Sequence, residues 1–259
     1  MKIVGVIPAR YASSRFPGKP LADIHGKPMI WWVYQQVMKV PELNEVYVAT
    51  DDKRIYSAVE EFGGRVIMTS DKHLTGTDRV AEVALKTNGT IYVNIQGDEP
   101  TIKHETISQA ITTVTNERDY FGTLAVRLTD KIEINSPHNV KIVLDSQGYA
   151  MYYSRSPIPS NVKGYIGNVY KHLGIYVYRK GFLIDFSNMK PSEPELSEGI
   201  EPLRAIFYGY KMKVGITESN SIGVDTYEDL ERVRNILSPL RPYKKMNNIH
   251  KHKVTILKR

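Results

Sequence analysis

Residues 2–10, KIVGVIPAR, contain the pattern that decides the fold of this chain. The run 2–7 is continuously apolar and rich in β-branched side chains, and it ends at Pro8. A strand that is apolar on both faces is typical of a parallel sheet covered by helices on both sides. Residues 9–20 (ARYASSRFPGKP) combine Ser, Gly and Pro with basic side chains and predict a loop. The first strand is therefore expected to lead into a basic loop at one edge of the sheet.

The same alternation continues along the first 115 residues. Strands are predicted at 46–50, 65–68 and 90–95, and helices at 28–40, 52–62, 78–85 and 105–115. Alternation at this spacing predicts an α/β fold with a mostly parallel, or mixed, central sheet and helices on both faces. The crossovers should be right-handed.

The pattern becomes less regular after residue 120. Later elements are predicted as a hairpin of 140–144 and 150–154, a strand at 172–178, a helix ending at 207, a strand at 213–217 and a helix at 227–237. We expect one domain over 1–238, with an inserted, less regular subregion at about 120–205. Residues 239–259 are expected to form a basic tail.

Composition excludes several classes of protein. The 259 residues include no cysteine, which excludes disulfides, zinc–thiolate sites and cysteine nucleophiles. No apolar run approaches the roughly 20 residues of a spanning helix, so no membrane span is expected, and a cytoplasmic location fits. The net charge of +7 comes entirely from residues 239–259, which carry seven of the 35 basic residues and no acidic one. The rest is neutral, so nucleic acid is not an expected partner, although a tail that binds nucleic acid, an anionic membrane or a protein is the alternative function.

The loop after the first strand has the character of a phosphate site. Ligands of open α/β sheets bind beyond the carboxyl ends of the parallel strands. This loop brings Arg10, Arg15 and Lys19 there among small and hydroxyl residues. It is not a Walker loop, because Ser13 replaces the first glycine and Pro20 replaces the Ser or Thr after the lysine. The alternative is a solvated loop with ordinary surface cations.

Three more segments offer polar chemistry at predicted element ends. Asp98, in the run QGDEP (96–100), suits a Mg²⁺ ion shared with substrate phosphates, or an Asx turn. Asp225, in GVDTY (223–227), is either a metal ligand or a helix N-cap. The segment TGTDR (75–79) opens a helix and fits a capping motif equally well.

Eight segments, taken in order, resemble one protein family. They are IPARYASSRFPGKPLADIHGKPMI (7–30), VATDD (48–52), FGG (62–64), TGTDR (75–79), NIQGDEP (94–100), YSRSPIP (153–159), HLGIYVYR (172–179) and GVDTYEDLERVR (223–234). Together they resemble the 3-deoxy-manno-octulosonate (Kdo) cytidylyltransferases over about residues 1–237. The resemblance implies a nucleotide-diphospho-sugar transferase-like fold and a homodimer, with the subregion at about 120–205 serving sugar binding or dimerisation. It also implies Mg²⁺-dependent transfer of CMP from CTP to the anomeric hydroxyl of an acidic sugar, with release of pyrophosphate.

The resemblance also implies roles for individual residues. The nucleotide would be bound by Pro8, Ala9, Arg10, Arg15, Lys19, Thr75 and Gly76. The metal would be bound by Asp98 and Asp225, which form the catalytic set together with Arg10 and Lys19. The acidic sugar would be bound by Arg79, Gln96, His172, Tyr176 and Glu201. His172 begins an apolar strand, so a hydrogen-bonded core histidine is the alternative for that position.

One position departs from the family pattern. Where the family has Glu-x-Leu-Glu-Gln-Leu-Arg, this chain has EGIEPLR at 198–204, with Pro202 in place of the glutamine. Proline has neither a side-chain donor nor an N–H, and it is expected to bend or restart the helix. A lost hydrogen bond to a buried sugar hydroxyl costs about 1–3 kcal/mol. The acceptor therefore stays open between Kdo and another acidic compound, such as 8-amino-Kdo or a sialic-acid-type sugar.

Overall fold

A mixed β-sheet runs through the centre of the computed structural model, which describes residues 1–12, 16–160, 167–219 and 221–238. The strands are β1 (Ile3–Ala9), β2 (Asp23–Ile24), β3 (Lys27–Pro28), β4 (Glu45–Thr50), β5 (Val66–Met68), β6 (Ile91–Asn94), β7 (Phe121–Leu128), β8 (Lys141–Leu144), β9 (Ala150–Ser154), β10 (Val169–Arg179) and β11 (Met212–Thr217). The α-helices are α1 (Met29–Val37), α2 (Lys53–Glu61), α3 (Gly76–Lys86), α4 (His104–Ile111), α5 (Lys131–Asn135), α6 (Lys180–Asn188), α7 (Glu193–Glu198), α8 (Leu203–Phe207) and α9 (Tyr227–Ile236). Short 3-10 turns cover Lys19–Leu21 and Thr112–Val114.

The order of the strands places the ends of β1, β4 and β6 side by side. The sheet runs β11-β7-β10-β6-β1-β4-β5, with β8 beside β10 and β9 beside β8. Strands β6, β1, β4 and β5 are parallel, whereas β10 is antiparallel to both β6 and β7. In the parallel register, Ala9 pairs with Thr50 and Val6 pairs with Asn94. The loops that follow these three strands therefore leave the sheet at the same edge.

The apolar run of β1 is buried on both faces, as its sequence predicts. Ile3 and Ile7 belong to the core layer that includes α1, α2 and α4. Val4 and Val6 face the opposite layer, which includes α3, α6 and α8. A third apolar cluster joins the region around β2 and β3 to α9. The predicted α/β fold, with helices on both faces of a mixed sheet, is confirmed.

The region at 120–205 is more regular than predicted. Phe121–Leu128 forms β7, which was not predicted, and β7 and β10 are inner strands of the sheet. Helix α6 (Lys180–Asn188) was also not predicted. These elements depend on distant partners: β7 pairs with β10 about fifty residues later and with β11 beyond it. This region therefore contributes part of the central sheet as well as the outer hairpin.

The remaining predicted elements are present, with ends that differ by a few residues. The hairpin of β8 and β9 is confirmed, and so are β11 and α9. The predicted helix ending at 207 is two helices, because α7 ends at Gly199 with φ 64° and Pro202 precedes α8. No helix in the described part of the chain has the length and apolar character needed to cross a membrane. Arg15 and the basic tail at 239–259 lie outside the described residues.

Candidate active site

A cleft of about 550 Å³ opens at the edge of the sheet where β1 and β6 end. Its walls come from five segments of the chain: residues 8–10 with 19–20, 73–76 with 79, 96–98, 199 with 201, and 225. Most of the residues predicted for the site line this cleft. They are Pro8, Ala9, Arg10, Lys19, Thr75, Gly76, Arg79, Gln96, Asp98, Glu201 and Asp225.

Lys19 connects the two predicted metal ligands. Its Nζ donates to Asp98 Oδ2 at 2.6 Å and to Asp225 Oδ1 at 3.3 Å. The backbone brings these carboxylates together, because the Val224 amide donates to the Asp98 carbonyl at 2.9 Å. One cation therefore already contacts both carboxylates in this structure.

Asp225 does not cap the helix that follows it. The N-cap of α9 is Thr226, whose hydroxyl accepts from the Asp229 amide while the Asp229 side chain accepts from Thr226 N. The capping alternative is therefore wrong for Asp225, whose carboxylate faces the cleft beside Lys19.

The oxygen donors of Asp98 and Asp225 fit a magnesium ion. Mg²⁺ binds through one or two carboxylates and completes its shell with waters and substrate phosphates. Among the described residues, no group of three or more Asp, Glu, His or Cys side chains forms a complete metal cage. A two-carboxylate site of this kind therefore requires oxygen ligands from water or substrate.

The amino end of α3 forms another wall of the cleft. Thr75 is its N-cap, with a reciprocal capping box to Asp78 at 3.1 Å in both directions. The capping alternative is thus correct for Thr75, and the same residue lines the cleft. Because α3 begins at Gly76, the positive end of its dipole lies at the cleft, where it favours an anion.

Gly97 allows the turn after β6 to pass close to β1. A Cβ atom on Gly97 would lie 3.0 Å from the carbonyl oxygen of Pro8 and 3.4 Å from Ile30 Cδ1. Few Cβ contacts are this short, so any side chain here would push the two cleft walls apart. Glycine therefore sets the spacing between the β1 loop and the segment that carries Asp98.

Arg79 is a buried cation in the cleft wall. Only 3% of its surface is exposed, and its guanidinium donates to Asp51 Oδ2 at 2.8 Å, to Thr69 Oγ1 at 2.5 Å and to Ser70 O at 3.3 Å. These contacts fix the planar group on the first turns of α3. Such a fork can pair with a carboxylate in a bidentate manner.

Glu201 presents an acceptor that has no partner within the described protein. Thr77 Oγ1 donates to its Oε2 at 2.8 Å, whereas Oε1 is buried and accepts no hydrogen bond from the described residues. Burial raises the pKa of this carboxyl, although the Thr77 hydroxyl acts in the opposite direction. Buried polar atoms are nearly always paired, so this oxygen is available to accept a hydrogen bond from water or from a ligand in the cleft.

His172 and Tyr176 lie behind the cleft wall rather than on it. Burial lowers the pKa of His172 to about 3, so its ring is neutral at pH 7. His172 Nε2 is 3.1 Å from Thr123 Oγ1, and its ring contacts Tyr153 edge-on at 5.1 Å and Tyr176 at 5.3 Å. These contacts are those of a hydrogen-bonded core histidine. The sugar-binding roles of His172 and Tyr176 stay predictions.

Comparison with known proteins identifies the family. The family model described as Cytidylyltransferase matches residues 4–218. The chain belongs to this cytidylyltransferase family. It is 48% identical over 245 residues to the 3-deoxy-manno-octulosonate cytidylyltransferase of Thermodesulfovibrio yellowstonii, covering 89% of this chain and 96% of the relative. The enzyme of the same name from Fusobacterium nucleatum is 47% identical over 253 residues, covering 96% and 99% of the two chains.

Solved structures agree with this assignment. A CMP:2-keto-3-deoxy-manno-octonic acid synthetase complexed with CTP superimposes with a TM-score of 0.88 at 41% identity, covering 92% of this chain and 99% of that one. The 4-diphosphocytidyl-2C-methyl-D-erythritol synthase of Anaerococcus prevotii is 16% identical with a TM-score of 0.61, covering 91% and 98%, and shares the fold alone. The resemblance seen in the sequence motifs is confirmed, and the chain is a CTP-dependent nucleotidyltransferase.

The cleft of this cytidylyltransferase also contains residues that were not predicted. His73 is one of them, and its Nε2 lies 2.5 Å from Glu82 Oε2 on α3. Burial alone would raise the pKa of Glu82, but hydrogen bonds from Lys86, the Ser70 amide and His73 outweigh it and lower that pKa to about 2. No local sequence pattern predicts this contact, because His73 and Glu82 are nine residues apart and meet only when α3 is formed.

Proposed function

We propose that this enzyme transfers CMP from CTP to the anomeric hydroxyl of Kdo and releases pyrophosphate. The observation that carries the proposal is the convergence of Lys19 with Asp98 and Asp225 in one cleft, at 2.6 and 3.3 Å. Relatives 48% identical to this chain are named for Kdo cytidylyl transfer, and this supports the choice of acceptor.

The nucleotide would lie along the loop after β1. Arg10 and Lys19 supply positive charge there, and the amino end of α3 at Thr75 and Gly76 adds the positive end of a dipole. Pro8 and Ala9 contribute backbone at the carboxyl end of β1. Arg15, outside the described residues, is proposed as a third cation. Together these groups would neutralise the triphosphate and hold its α-phosphorus in a fixed orientation.

Asp98 and Asp225 would hold the Mg²⁺ ion. When bound, the ion supplies positive charge that offsets the negative charge developing on the phosphates. Lys19 supplies positive charge whether or not the ion is bound. Its ammonium can donate to phosphate oxygens as well as to the two carboxylates. The chain therefore combines a fixed cation with a carboxylate pair at one point of the cleft.

The acceptor would lie against Arg79, Gln96 and Glu201. Arg79 is proposed to pair with the sugar carboxylate, and the orphaned Glu201 Oε1 to accept a hydrogen bond from a sugar hydroxyl. The anomeric hydroxyl oxygen attacks the α-phosphorus in line as the bond to the bridging oxygen breaks, its proton passes to solvent water, and pyrophosphate leaves with the negative charge. We assign no side chain as a general base. The work of the protein is orientation and charge stabilisation.

Pro202 supports a second candidate, in which the same cytidylyl transfer uses a different acidic acceptor. Pro202 is buried and starts α8 directly after Glu201, and it offers no side-chain donor. The turn that carries Glu201 therefore begins a new helix rather than continuing the previous one. An 8-amino-Kdo or a sialic-acid-type sugar is the alternative acceptor.

The test is pyrophosphate release with CTP, Mg²⁺ and a panel of Kdo, 8-amino-Kdo and sialic acid. Turnover with Kdo supports the first candidate, whereas turnover with another acid and none with Kdo supports the second. Asp98→Asn should abolish turnover without lowering the melting temperature. A folded enzyme that binds CTP and releases no pyrophosphate with any of these acids would contradict both candidates.

We also propose that the enzyme is a cytoplasmic homodimer. Strand β9 forms the outer edge of the hairpin, pairing only with β8 among the described strands, and its Met151 and Tyr152 are 56% and 40% exposed. Phe207, at the end of α8, is 58% exposed. Apolar side chains on an outer strand favour a protein contact. Sedimentation equilibrium of the wild-type chain and of Met151→Lys would test this.

A further inference from the structure

Tyr11 lies at the base of the nucleotide loop, outside the cleft lining. The Gly18 amide donates to the Tyr11 carbonyl at 2.9 Å, so the two ends of the loop meet there. Gly18 has φ 73°, and a Cβ on it would lie 3.0 Å from the Tyr11 ring, so the ring packs directly on the Gly18 backbone. The proposed phosphate-binding residues Arg10 and Lys19 immediately flank this pair. Tyr11 therefore lies where the two ends of the loop between Arg10 and Lys19 meet.

Arg54, on the first turn of α2, fixes the Tyr11 ring. Its guanidinium carbon lies 3.3 Å from the ring centroid, in the range of a stacked cation–π contact. The guanidinium is itself held by Asp52, through Nε to Oδ1 at 3.0 Å and Nη2 to Oδ2 at 2.6 Å. Asp52 is also the N-cap of α2, accepting from the Arg54 amide at 2.8 Å. Asp52 therefore holds Arg54 both at its guanidinium and at its backbone amide.

We infer that Tyr11 and Arg54 are positioning residues for the triphosphate of CTP. Neither lines the cleft; their contacts hold Arg10 and Lys19 converged on it. This assignment gives a role to the VATDD segment at 48–52, which contains the last three residues of β4 and ends in Asp52. Asp51, in the same segment, accepts a hydrogen bond from Arg79 Nη2 at its Oδ2, at 2.8 Å. One short segment therefore supports both the proposed nucleotide side and the proposed sugar side of the cleft. The inference rests on the proposed function.

The expected effect follows from preorganisation. Ligand affinity falls in proportion to the fraction of protein in the binding-competent conformation. An exposed cation–π contact stabilises the competent loop by an amount that corresponds to roughly a two- to five-fold change in the equilibrium constant between competent and other loop conformations. Loss of the stack should therefore raise the KM and Kd for CTP by up to about five-fold. The KM for the acidic sugar and kcat should stay unchanged, because the stack contacts neither sugar residues nor reacting atoms.

The central experiment compares Arg54→Met with Arg65→Met. The two arginine side chains are 59% and 62% exposed and belong to the same β4–α2–β5 unit, so net charge and location are matched. Steady-state kinetics would give KM for CTP and for Kdo separately, and calorimetry would give the Kd of Mg²⁺–CTP. We expect only Arg54→Met to raise the KM and Kd for CTP. Its melting temperature should stay near that of wild type, because the side chain is exposed.

Variants of Tyr11 separate the ring from the hydroxyl. Tyr11→Phe keeps the stacking face and should behave like wild type, whereas Tyr11→Leu should weaken CTP binding at least as much as Arg54→Met, because it also removes the packing of the ring on Gly18. The double variant Tyr11→Leu/Arg54→Met should be no worse than Tyr11→Leu alone, because the stack is already absent in that variant. Additive losses would overturn the pairing.

Two results would overturn the inference. One is a KM for CTP in Arg54→Met within the error of the Arg65→Met value. The other is an equal rise in KM for CTP and for Kdo, which would indicate general damage to the cleft. Failure of the proposed function would appear in the wild-type enzyme, as an absence of CTP binding, and this inference would fall with it. Failure of the inference alone would appear only in the comparison of the two variants, with wild-type binding intact.

Discussion

Replacement of Lys19 by methionine tests the centre of the site most directly. Lys19→Met keeps the length of the side chain and removes the cation between Asp98 and Asp225. The Lys19 side chain is 13% exposed, whereas those of Asp98 and Asp225 are 32% and 53% exposed, so the contact with Asp98 is the better shielded from water. In the complex its ammonium is expected to donate to the triphosphate as well. A single change therefore removes charge from both the carboxylate pair and the nucleotide.

The magnitude follows from these contacts. A hydrogen bond to a charged group contributes about 1.5–3 kcal/mol, which corresponds to roughly a ten- to hundred-fold loss in kcat/KM for CTP. The two contacted carboxylate oxygens lie no more than about 6 Å apart. Without the ammonium, their repulsion is about 3 kcal/mol at an effective dielectric constant of 20. The free variant should therefore be less stable than wild type, and Mg²⁺ should raise its melting temperature more.

The assay is continuous pyrophosphate release at varied CTP, combined with thermal unfolding at varied Mg²⁺. Lys27→Met serves as a control, because Lys27 lies over the Trp31 ring at 5.8 Å and does not line the cleft. The reasoning is refuted if Lys19→Met retains kcat/KM within two-fold of the control. It is also refuted if Mg²⁺ shifts the melting temperatures of the variant and the control equally.

Three further changes test other parts of the structure. Gly97→Ala places a Cβ 3.0 Å from the Pro8 carbonyl, so the cleft walls must separate and kcat/KM should fall about ten-fold without loss of folding, as measured by steady-state kinetics. Glu195→Gln leaves the Arg204 guanidinium, 6% exposed and paired at 2.5 Å, without a charged partner, and should lower the free energy of unfolding in urea by about 3 kcal/mol. Burial depresses the pKa of His172 to about 3, so the unfolded chain takes up its proton first as pH falls below 6.5. Stability should then drop with decreasing pH by up to about 1.4 kcal/mol per unit, and His172→Gln should flatten that slope in urea titrations from pH 7 to pH 4.

The first half of the fold was predictable because its signals are local. Each parallel strand there is a continuous apolar run, and each helix follows within a few residues, as β1 and α3 show. Strand β7 carries the equally apolar sequence FGTLAVRL, but its neighbours β10 and β11 lie far along the chain. Helix α6 has no side-chain cap and a glycine in its first turn. Its helical form depends on packing of Phe182 and Phe186 against the sheet, which no short window reveals.

The site was predictable to the extent that it follows strand ends. The rule that ligands bind beyond the carboxyl ends of parallel strands placed Arg10 and Asp98 correctly in one cleft. It also singled out Asp225, which follows the strand predicted at 213–217, but the place of Asp225 beside Asp98 depends on the bond between the Val224 amide and the Asp98 carbonyl. Similarly, Tyr11 and Arg54 lie in separate segments, and only the folded chain shows that they are stacked.

The contact between Lys19 and Asp225 joins residues that are 206 positions apart along the chain. During synthesis from the amino terminus, the loop after β1 emerges early, whereas the second carboxylate emerges only after β11 has been made. A growing chain therefore carries the cations of the nucleotide loop long before it carries a complete carboxylate pair. Catalytic competence should therefore appear late in translation, after residue 225 has been made.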